Sequence, residues 1–150
     1  LFEERTQQQQ QVLRLELPAN LPLITTDRRY LERIMTELLT NACKYTPPGE
    51  RIIVSVQVQS APSHPPNFAS EPIDRSFLLL RVTNYGIEIP ASEHDRIFQT
   101  FYRIPNTDPW RYGGTGLGLA LVKKLVERLH GKIQLESRLG WTCFTIQLPL

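Results

Sequence analysis

Glu37-Leu-Leu-Thr-Asn-Ala-Cys-Lys-Tyr-Thr46 decides how the rest of the chain is read. It is the second half of a longer pattern in which Leu31, Ile34, Met35, Leu38 and Ala42 recur three and four residues apart. That period, roughly 100° per residue, predicts one helix from Arg28 to Tyr45 with a single apolar face. Asp27 is its expected N-cap, and Pro47-Pro48-Gly49 stops it. Glu37, Asn41 and Lys44 fall four and three apart, so they line up along the edge of the buried face. A carboxylate, an amide and an ammonium in one row suit a metal–phosphate ligand. The amide oxygen fits magnesium, which prefers oxygen ligands and keeps several waters; the ammonium fits phosphate. An ordinary amphipathic helix with a solvated polar edge has the same spacing, so the helix alone does not choose.

A second stretch narrows the choice. Gly113-Gly-Thr-Gly-Leu-Gly-Leu-Ala-Leu121 runs from a glycine-rich loop into a helix. The glycines let backbone approach a ligand closely. The helix start offers unpaired N–H groups and a positive dipole end, which suit phosphate. A dinucleotide fingerprint would need a strand directly before the glycines. Here Tyr102 to Trp110 reads as a loop, and the chain has no Gly-x-x-x-x-Gly-Lys-Ser/Thr run. Both common glycine-loop readings therefore fail on context.

The combination resembles one family. Glu37 to Thr46 resembles the asparagine box of sensor histidine kinases. Val82-Thr-Asn-Tyr-Gly-Ile-Glu-Ile-Pro90 resembles their first glycine box, Phe98-Gln-Thr-Phe-Tyr-Arg103 their phenylalanine box, and Gly113 to Leu121 their second glycine box. All four occur in the family's order and cover nearly the whole chain. The chain is thus identified as similar to the catalytic ATP-binding domain of a two-component histidine kinase, in the superfamily of type II topoisomerase and MutL ATPases. The resemblance implies the Bergerat ATP-binding fold: an α/β two-layer sandwich with about five strands in a mixed, mainly antiparallel sheet and about three helices on one face. It also implies ATP and Mg2+ as ligands.

Roles follow from the same resemblance. Asn41 is expected to hold the metal, with Glu37 one turn earlier helping to ligate it or polarising a nucleophile. Lys44 looks like the phosphate-facing lysine and Tyr45 like an aromatic lining the nucleotide. Asn84 and Thr142 are expected by the adenine, and Gly86 and Ile89 elsewhere in the nucleotide pocket. Tyr102 and Arg103 are expected on the lid side, and Gly114, Gly116, Leu117 and Gly118 at the phosphates through backbone N–H groups. Phe98 and Phe101 are expected to anchor the lid to the core. Two positions depart from the family. Asn84 stands where aspartate is usual, and Glu88 replaces the second glycine of its box, with strain expected if that position needs a positive φ.

The global numbers agree. A chain of 150 residues is one domain's worth and can bury a core. Hydrophobic content of 41% and charged content of 21% are ordinary for a globular domain. A net charge of +2 with no basic cluster gives no nucleic-acid footprint. No apolar run approaches the roughly 20 residues of a membrane span, so no membrane contact is expected of this fragment. Cys43 and Cys143 form no Cys-x-x-Cys unit, which favours buried thiols in a reducing cytoplasm.

Residues 1–11, with glutamines at 7 to 11, read as an exposed linker or helix end trailing from a preceding helical domain. The catalytic domain is expected over 12–150. Val12 to Leu17 alternates like a half-buried strand, and Arg51 to Val58 alternates likewise. The proline-rich stretch 60–76, with His64, is expected to be an exposed insertion, with a docking segment as the other reading. Phe77 to Thr83 reads as a strand buried on both faces. Ala91 to Ile97 suits a short helix, and 98–114 a mobile ATP lid. Leu117, Leu121, Val122, Leu125 and Leu129 mark a last helix with Gly131 as its cap, and Lys132–Ser137 with Thr142–Leu148 a closing hairpin around Gly140.

The implied reaction moves the γ-phosphate of ATP to a histidine. His94-Asp95-Arg96-Ile97 imitates the start of the family's acceptor box, but no proline follows and it lies beside the lid. His130 ends a helix. The expected acceptor is therefore a separate dimerisation domain, with a response regulator downstream. A degenerate nucleotide-binding module that regulates by conformation is the competing reading, and an ATP-hydrolysing clamp a weaker third.

Overall fold

The computed structural model describes residues 2–60, 76–105 and 114–150. Most of the expected insertion and the middle of the expected lid, including His64, Trp110 and Tyr112, lie outside the described residues. The order of elements is α1 (Phe2–Gln8), β1 (Val12–Glu16), α2 (Arg28–Tyr45), β2 (Arg51–Ser60), β3 (Ser76–Tyr85), two 3-10 turns (Ala91–Glu93 and Arg96–Phe98), α3 (Gly118–Arg128), β4 (Lys132–Arg138) and β5 (Trp141–Pro149). The five strands form one sheet in the order β1-β2-β3-β5-β4. Only β1 and β2 run parallel; the other neighbours are antiparallel. The α/β fold expected from the sequence is the one observed.

Helix α2 matches its sequence prediction end to end. The Asp27 carboxylate accepts from the N–H groups of Arg29 (2.9 Å) and Tyr30 (3.3 Å), satisfying donors that the helix itself leaves open. Thr46, ahead of Pro47, turns extended at φ −72°, ψ 123°, as a residue before proline prefers. Ile34, Leu38, Ala42 and Cys43 are buried against Ile52, Val54 and Val56 of β2, Val82 of β3, and Phe144 and Ile146 of β5. Phe2 of α1 and Val122 and Val126 of α3 join the same core, so the helices share one face of the sheet.

Several expectations need correction. In α3 the deeply buried residues are Ala120, Val122 and Val126, while Leu121, Leu125 and Leu129 only flank them and Leu117 is exposed at the N-cap. The cap of α3 is not Gly131. His130 takes the left-handed conformation (φ 56°) and donates its N–H to Glu127 O, and Gly131 N–H closes on Val126 O. That is a Schellman closure with histidine at its turning position. Gly131 is glycine for space, since a Cβ there would sit 2.6 Å from the carbonyl oxygen of Gln147.

Strand β1 is mostly exposed rather than half-buried, with only Leu13 packed on the core, because it is the edge strand. Strand β3 is buried on consecutive residues only at Leu78, Leu79 and Leu80, then alternates. The glutamine run is not uniformly exposed: Gln11 is buried and bonded. The closing hairpin turns through Leu139 (φ 51°) and Gly140 (φ 76°), a two-residue loop of the twist that suits antiparallel strands. Cys43 and Cys143 are both free and buried, and burial pushes the Cys43 thiol pKa up.

Gly131 and Gly140, at the two ends of β4, should separate steric from backbone cost. Nothing lies within 4 Å of a Cβ on Gly140, so Gly140→Ala should cost only the left-handed backbone term, about 1–2 kcal/mol. Gly131→Ala forces backbone apart and should cost more, about 2–4 kcal/mol. Urea denaturation of both variants measures the order; equal costs would refute the contact at Gly131.

Candidate nucleotide site

A cavity of about 360 Å³ opens between α2, the end of β3 and the start of α3. Helix α2 contributes Glu37, Thr40, Asn41, Lys44 and Tyr45. The chain leaving β3 contributes Asn84, Ile87, Glu88, Ile89 and Pro90, and β5 contributes Thr142 and Phe144. Tyr102, Arg103 and Ile104 face Gly114, Thr115, Gly116, Gly118 and Leu119 across the mouth. Five segments of the chain thus converge, and nearly every residue named from sequence is among them.

Gly86 and Leu117 are the exceptions. Gly86 sits at φ 79°, and a Cβ on it would stand 2.7 Å from Glu50 Cγ and 2.9 Å from Pro47 Cδ. Its glycine is required by packing behind the cavity. Leu117 is the N-cap of α3 and points its side chain outward. Phe144 carried the alternation of a strand, which marks core and cavity floor alike, and Ile87 and Ile97 carried no signal of their own. Thr40 and Thr115 carried no signal beyond their neighbours.

The polar edge of α2 is organised by contacts. Arg33 Nη2 pairs with Glu37 Oε1 at 2.6 Å, one turn apart. The other oxygen, Oε2, stands 2.8 Å from where a Cβ on Gly118 would be. Glu37 therefore lies against the first turn of α3, whose N-terminus has no side-chain cap and attracts negative charge. Lys44 Nζ lies 4.8 Å from the centre of the Tyr45 ring and 2.9 Å from a Cβ position on Gly114. A side chain at Gly114 would displace the lysine ammonium from this place. Gly116 (φ 72°) is held more firmly: its carbonyl accepts from Phe101 N–H at 3.0 Å, and a Cβ would meet the Phe101 backbone at 2.8 Å. This bond ties together the two described ends of the 98–114 segment.

Of the two phenylalanines, Phe98 anchors to the core, edge-on to Phe144 with ring centres 6.3 Å apart. Phe101 does not; its side chain is 72% exposed and its φ is 64°. Tyr102 donates to Glu93 Oε2 and stacks under the Arg96 guanidinium, 4.6 Å away. The carboxylate pushes the Tyr102 pKa up, with burial adding to it. His94 Nε2 donates to the Ile89 carbonyl at 2.8 Å, so the ring braces the cavity wall.

Asn84 is 4% exposed and stands opposite Thr142 in the β3–β5 register. A directed chain of hydrogen bonds holds the wall beside it. Ile89 N–H donates to Ser137 Oγ at 2.7 Å, Ser137 and Thr142 hydroxyls meet at 2.8 Å, and Thr142 Oγ1 donates to Ile87 O at 3.0 Å. Ser137 went unnoticed in the sequence because nothing local marks a strand serine as a bracket for a loop 48 residues away. Glu88 carries no positive φ; its Oε2 accepts from Gly140 N–H at 3.1 Å, so the expected strain is absent.

With this geometry in place, likeness to known proteins is informative. Residues 26–150 match the model of the histidine kinase-, DNA gyrase B- and HSP90-like ATPase family. The chain is 35% identical over 127 residues to the probable sensor kinase SilS of Salmonella typhimurium, covering 85% of this chain and 22% of that protein. It is 42% identical over 128 residues to the sensor histidine kinase AruS of Pseudomonas aeruginosa, covering 81% of this chain and 11% of that one. The fold matches the catalytic domain of histidine kinase ThkA with a TM-score of 0.75 at 23% identity, over 99% of this chain and 86% of that chain. The chain belongs to the histidine kinase-, DNA gyrase B- and HSP90-like ATPase family. Within it, the relatives named here are sensor kinases, and the matched structure is a histidine kinase catalytic domain. The chain spans about a fifth or less of the length of these curated relatives.

Ser137→Ala should leave the Ile89 N–H without its partner in a half-buried setting, costing about 1–3 kcal/mol. Urea denaturation gives the loss, and hydrogen exchange should place it at Ile87–Ile89. Unchanged exchange there would show that the relay does not hold the wall.

Proposed function

We propose that this domain binds Mg-ATP in the cavity and passes the γ-phosphate to a histidine on the dimerisation domain of its own kinase, with a response regulator downstream. The single observation that carries this reading is the convergence of Asn41 and Lys44 of α2 with the glycine loop and the uncapped start of α3. Catalysis of phosphoryl transfer rests mostly on positioning and charge neutralisation, and the cavity walls supply both. We assign residues 12–150 to the catalytic domain, 98–114 to its lid and 1–11 to the connection with what precedes it. Among the described residues no helix is long and apolar enough to cross a membrane, and we place the domain in the cytoplasm.

The donor set fits magnesium with phosphates and water completing its shell. Asn41 offers a neutral amide oxygen, and no cluster of three or more His, Cys, Asp or Glu stands among the described residues to cage a metal alone. When bound, the ion would neutralise phosphate charge and orient the phosphate chain. Asn41 is its ligand in this reading. Glu37, with one oxygen on Arg33 and the other against α3, fixes the α2–α3 junction and would help to hold the ion or polarise the nucleophile. Lys44 and Arg103 neutralise phosphate from opposite sides. Gly114, Gly116 and Gly118 allow backbone to approach it. Tyr45, Ile89 and Tyr102 line the nucleotide, while Asn84 and Thr142 meet the base. A histidine nitrogen of the partner domain then attacks the γ-phosphorus as the bond to the β-bridging oxygen breaks, leaving ADP.

Asn84 and Glu88 motivated the reading of a degenerate module. Glu88 no longer supports it, since its backbone is unstrained. Asn84 still accepts a hydrogen bond through its side-chain oxygen; what it lacks is charge. A charge-assisted hydrogen bond gains roughly 1 kcal/mol over a neutral one, so Asn84→Asp should tighten ATP binding by about tenfold or less. Asn41→Ala should remove most Mg-dependent ATP affinity without unfolding the domain. Calorimetry with and without Mg2+ tests both; a parent chain that binds no ATP at millimolar concentration, unimproved by Asn84→Asp, leaves the degenerate module as the correct reading.

A further inference from the structure

Helix α2 ends in a sequence that cannot cap it. A helix leaves its last carbonyls without intrahelical partners, and the usual remedy is backbone N–H groups from the next residues. Here those residues are Pro47 and Pro48, which have none. The Gln11 side-chain amide takes their place. Its Nε2 donates to Cys43 O at 2.8 Å and to Thr46 O. Cys43 O is the carbonyl that an N–H at position 48 would serve in a Schellman closure.

Gln11 is held for this task. It is 8% exposed, its own N–H donates to Thr6 O at 2.8 Å, and the preceding Gln10 takes a positive φ of 57° while its carbonyl accepts from Gly49 N–H at 2.8 Å. With Nε2 on both carbonyls, Oε1 is buried without a partner among the described residues, so the amide's orientation is set by its donors. The two carbonyls it holds bracket Lys44 and Tyr45, which line the candidate nucleotide cavity. Lys44 also lines a smaller cavity, about 220 Å³, with Gln11 and Thr46.

We propose that Gln11 is a positioning residue for the nucleotide site: it caps α2 from the N-terminal segment, so the seating of that segment sets where Lys44 stands against bound phosphate. The proposal rests on the reading of the cavity as an ATP site. It adds a residue outside the span 26–150 that the family model covers. It also gives the chain preceding β1 a direct mechanical hold on the phosphate end of the cavity, through two hydrogen bonds and one helix turn. The base end, built by Asn84 and Thr142 on β3 and β5, is not part of that linkage.

The test uses that asymmetry. Gln11→Met keeps length and removes both donors; Gln11→Glu keeps shape and sets a carboxylate oxygen against two carbonyls. Displacement of a fluorescent ATP analogue by ATP and by adenosine is measured for the parent chain and both variants. ATP should compete roughly five- to tenfold more weakly in Gln11→Met, and more weakly still in Gln11→Glu, while adenosine competes within about twofold of the parent. Equal ATP affinity in Gln11→Met, or equal weakening of ATP and adenosine, overturns the proposal. A parent chain that binds neither ligand defeats the nucleotide reading itself and the proposal with it. Should the variants not fold, NMR of the parent decides: the Gln11 side-chain amide should exchange slowly and shift on ATP addition. Exchange as fast as that of Gln7 to Gln10 refutes the cap.

Discussion

The structure depends on α2 lying on the sheet at one fixed rotation. Ile34, Leu38, Ala42 and Cys43 leave almost no surface to water. At 100° per residue, turning the helix by one position would exchange this face for Arg33, Glu37 and Asn41. Burying that edge unpaired would cost far more than the packing it replaced. The same rotation that fills the core therefore points the polar edge at the cavity. Core and site are two sides of a single constraint, which is why a sequence pattern chosen for packing also predicts where chemistry can occur.

The sheet imposes a second constraint. The β3–β5 register sets Asn84 opposite Thr142, and the β4–β5 register sets Ser137 opposite Thr142. A slip of one residue would turn Asn84 to the other face of the sheet and break the hydroxyl relay to Ile87 and Ile89. The register is held by the buried run of Val82, Phe144 and Ile146 and by the tight turn at Leu139 and Gly140. A contact at the hairpin tip, Glu88 to Gly140, ties the same loop from its far side. The wall of the cavity built on β3 and β5 is thus tied to the sheet, whereas the opposite wall is assembled from a helix terminus and a glycine loop.

Those two walls differ in how they are braced. At the mouth each of three glycines marks a close approach: Gly114 to Lys44, Gly116 to the Phe101 backbone, Gly118 to Glu37. The braces join segments distant in sequence by single contacts, so small displacements there change the cavity mouth without disturbing the core. Such a division leaves the mouth free to adjust while the core stays fixed.

The sequence by itself determined the five strands, the two longer helices and the family. A period of 3.6 in α2, alternation in β2 and β5, proline and glycine at the stops, and four motifs in order were all local, and local signals survive without a structure. Tertiary structure decided what required knowing which distant residues meet. Leu117 and Gly86 belong to motifs yet do not line the cavity, because a motif records that a residue is needed and not whether ligand or neighbouring backbone needs it. Phe101 faces solvent because its backbone is turned to meet Gly116. Ser137 and Gln11 carried no signal, since a serine in a strand and a glutamine in a run look the same whether or not a loop amide or a prolyl-stopped helix waits for them. Side-chain hydrogen bonds across 30 to 50 residues are fixed by the fold, and only the fold displays them.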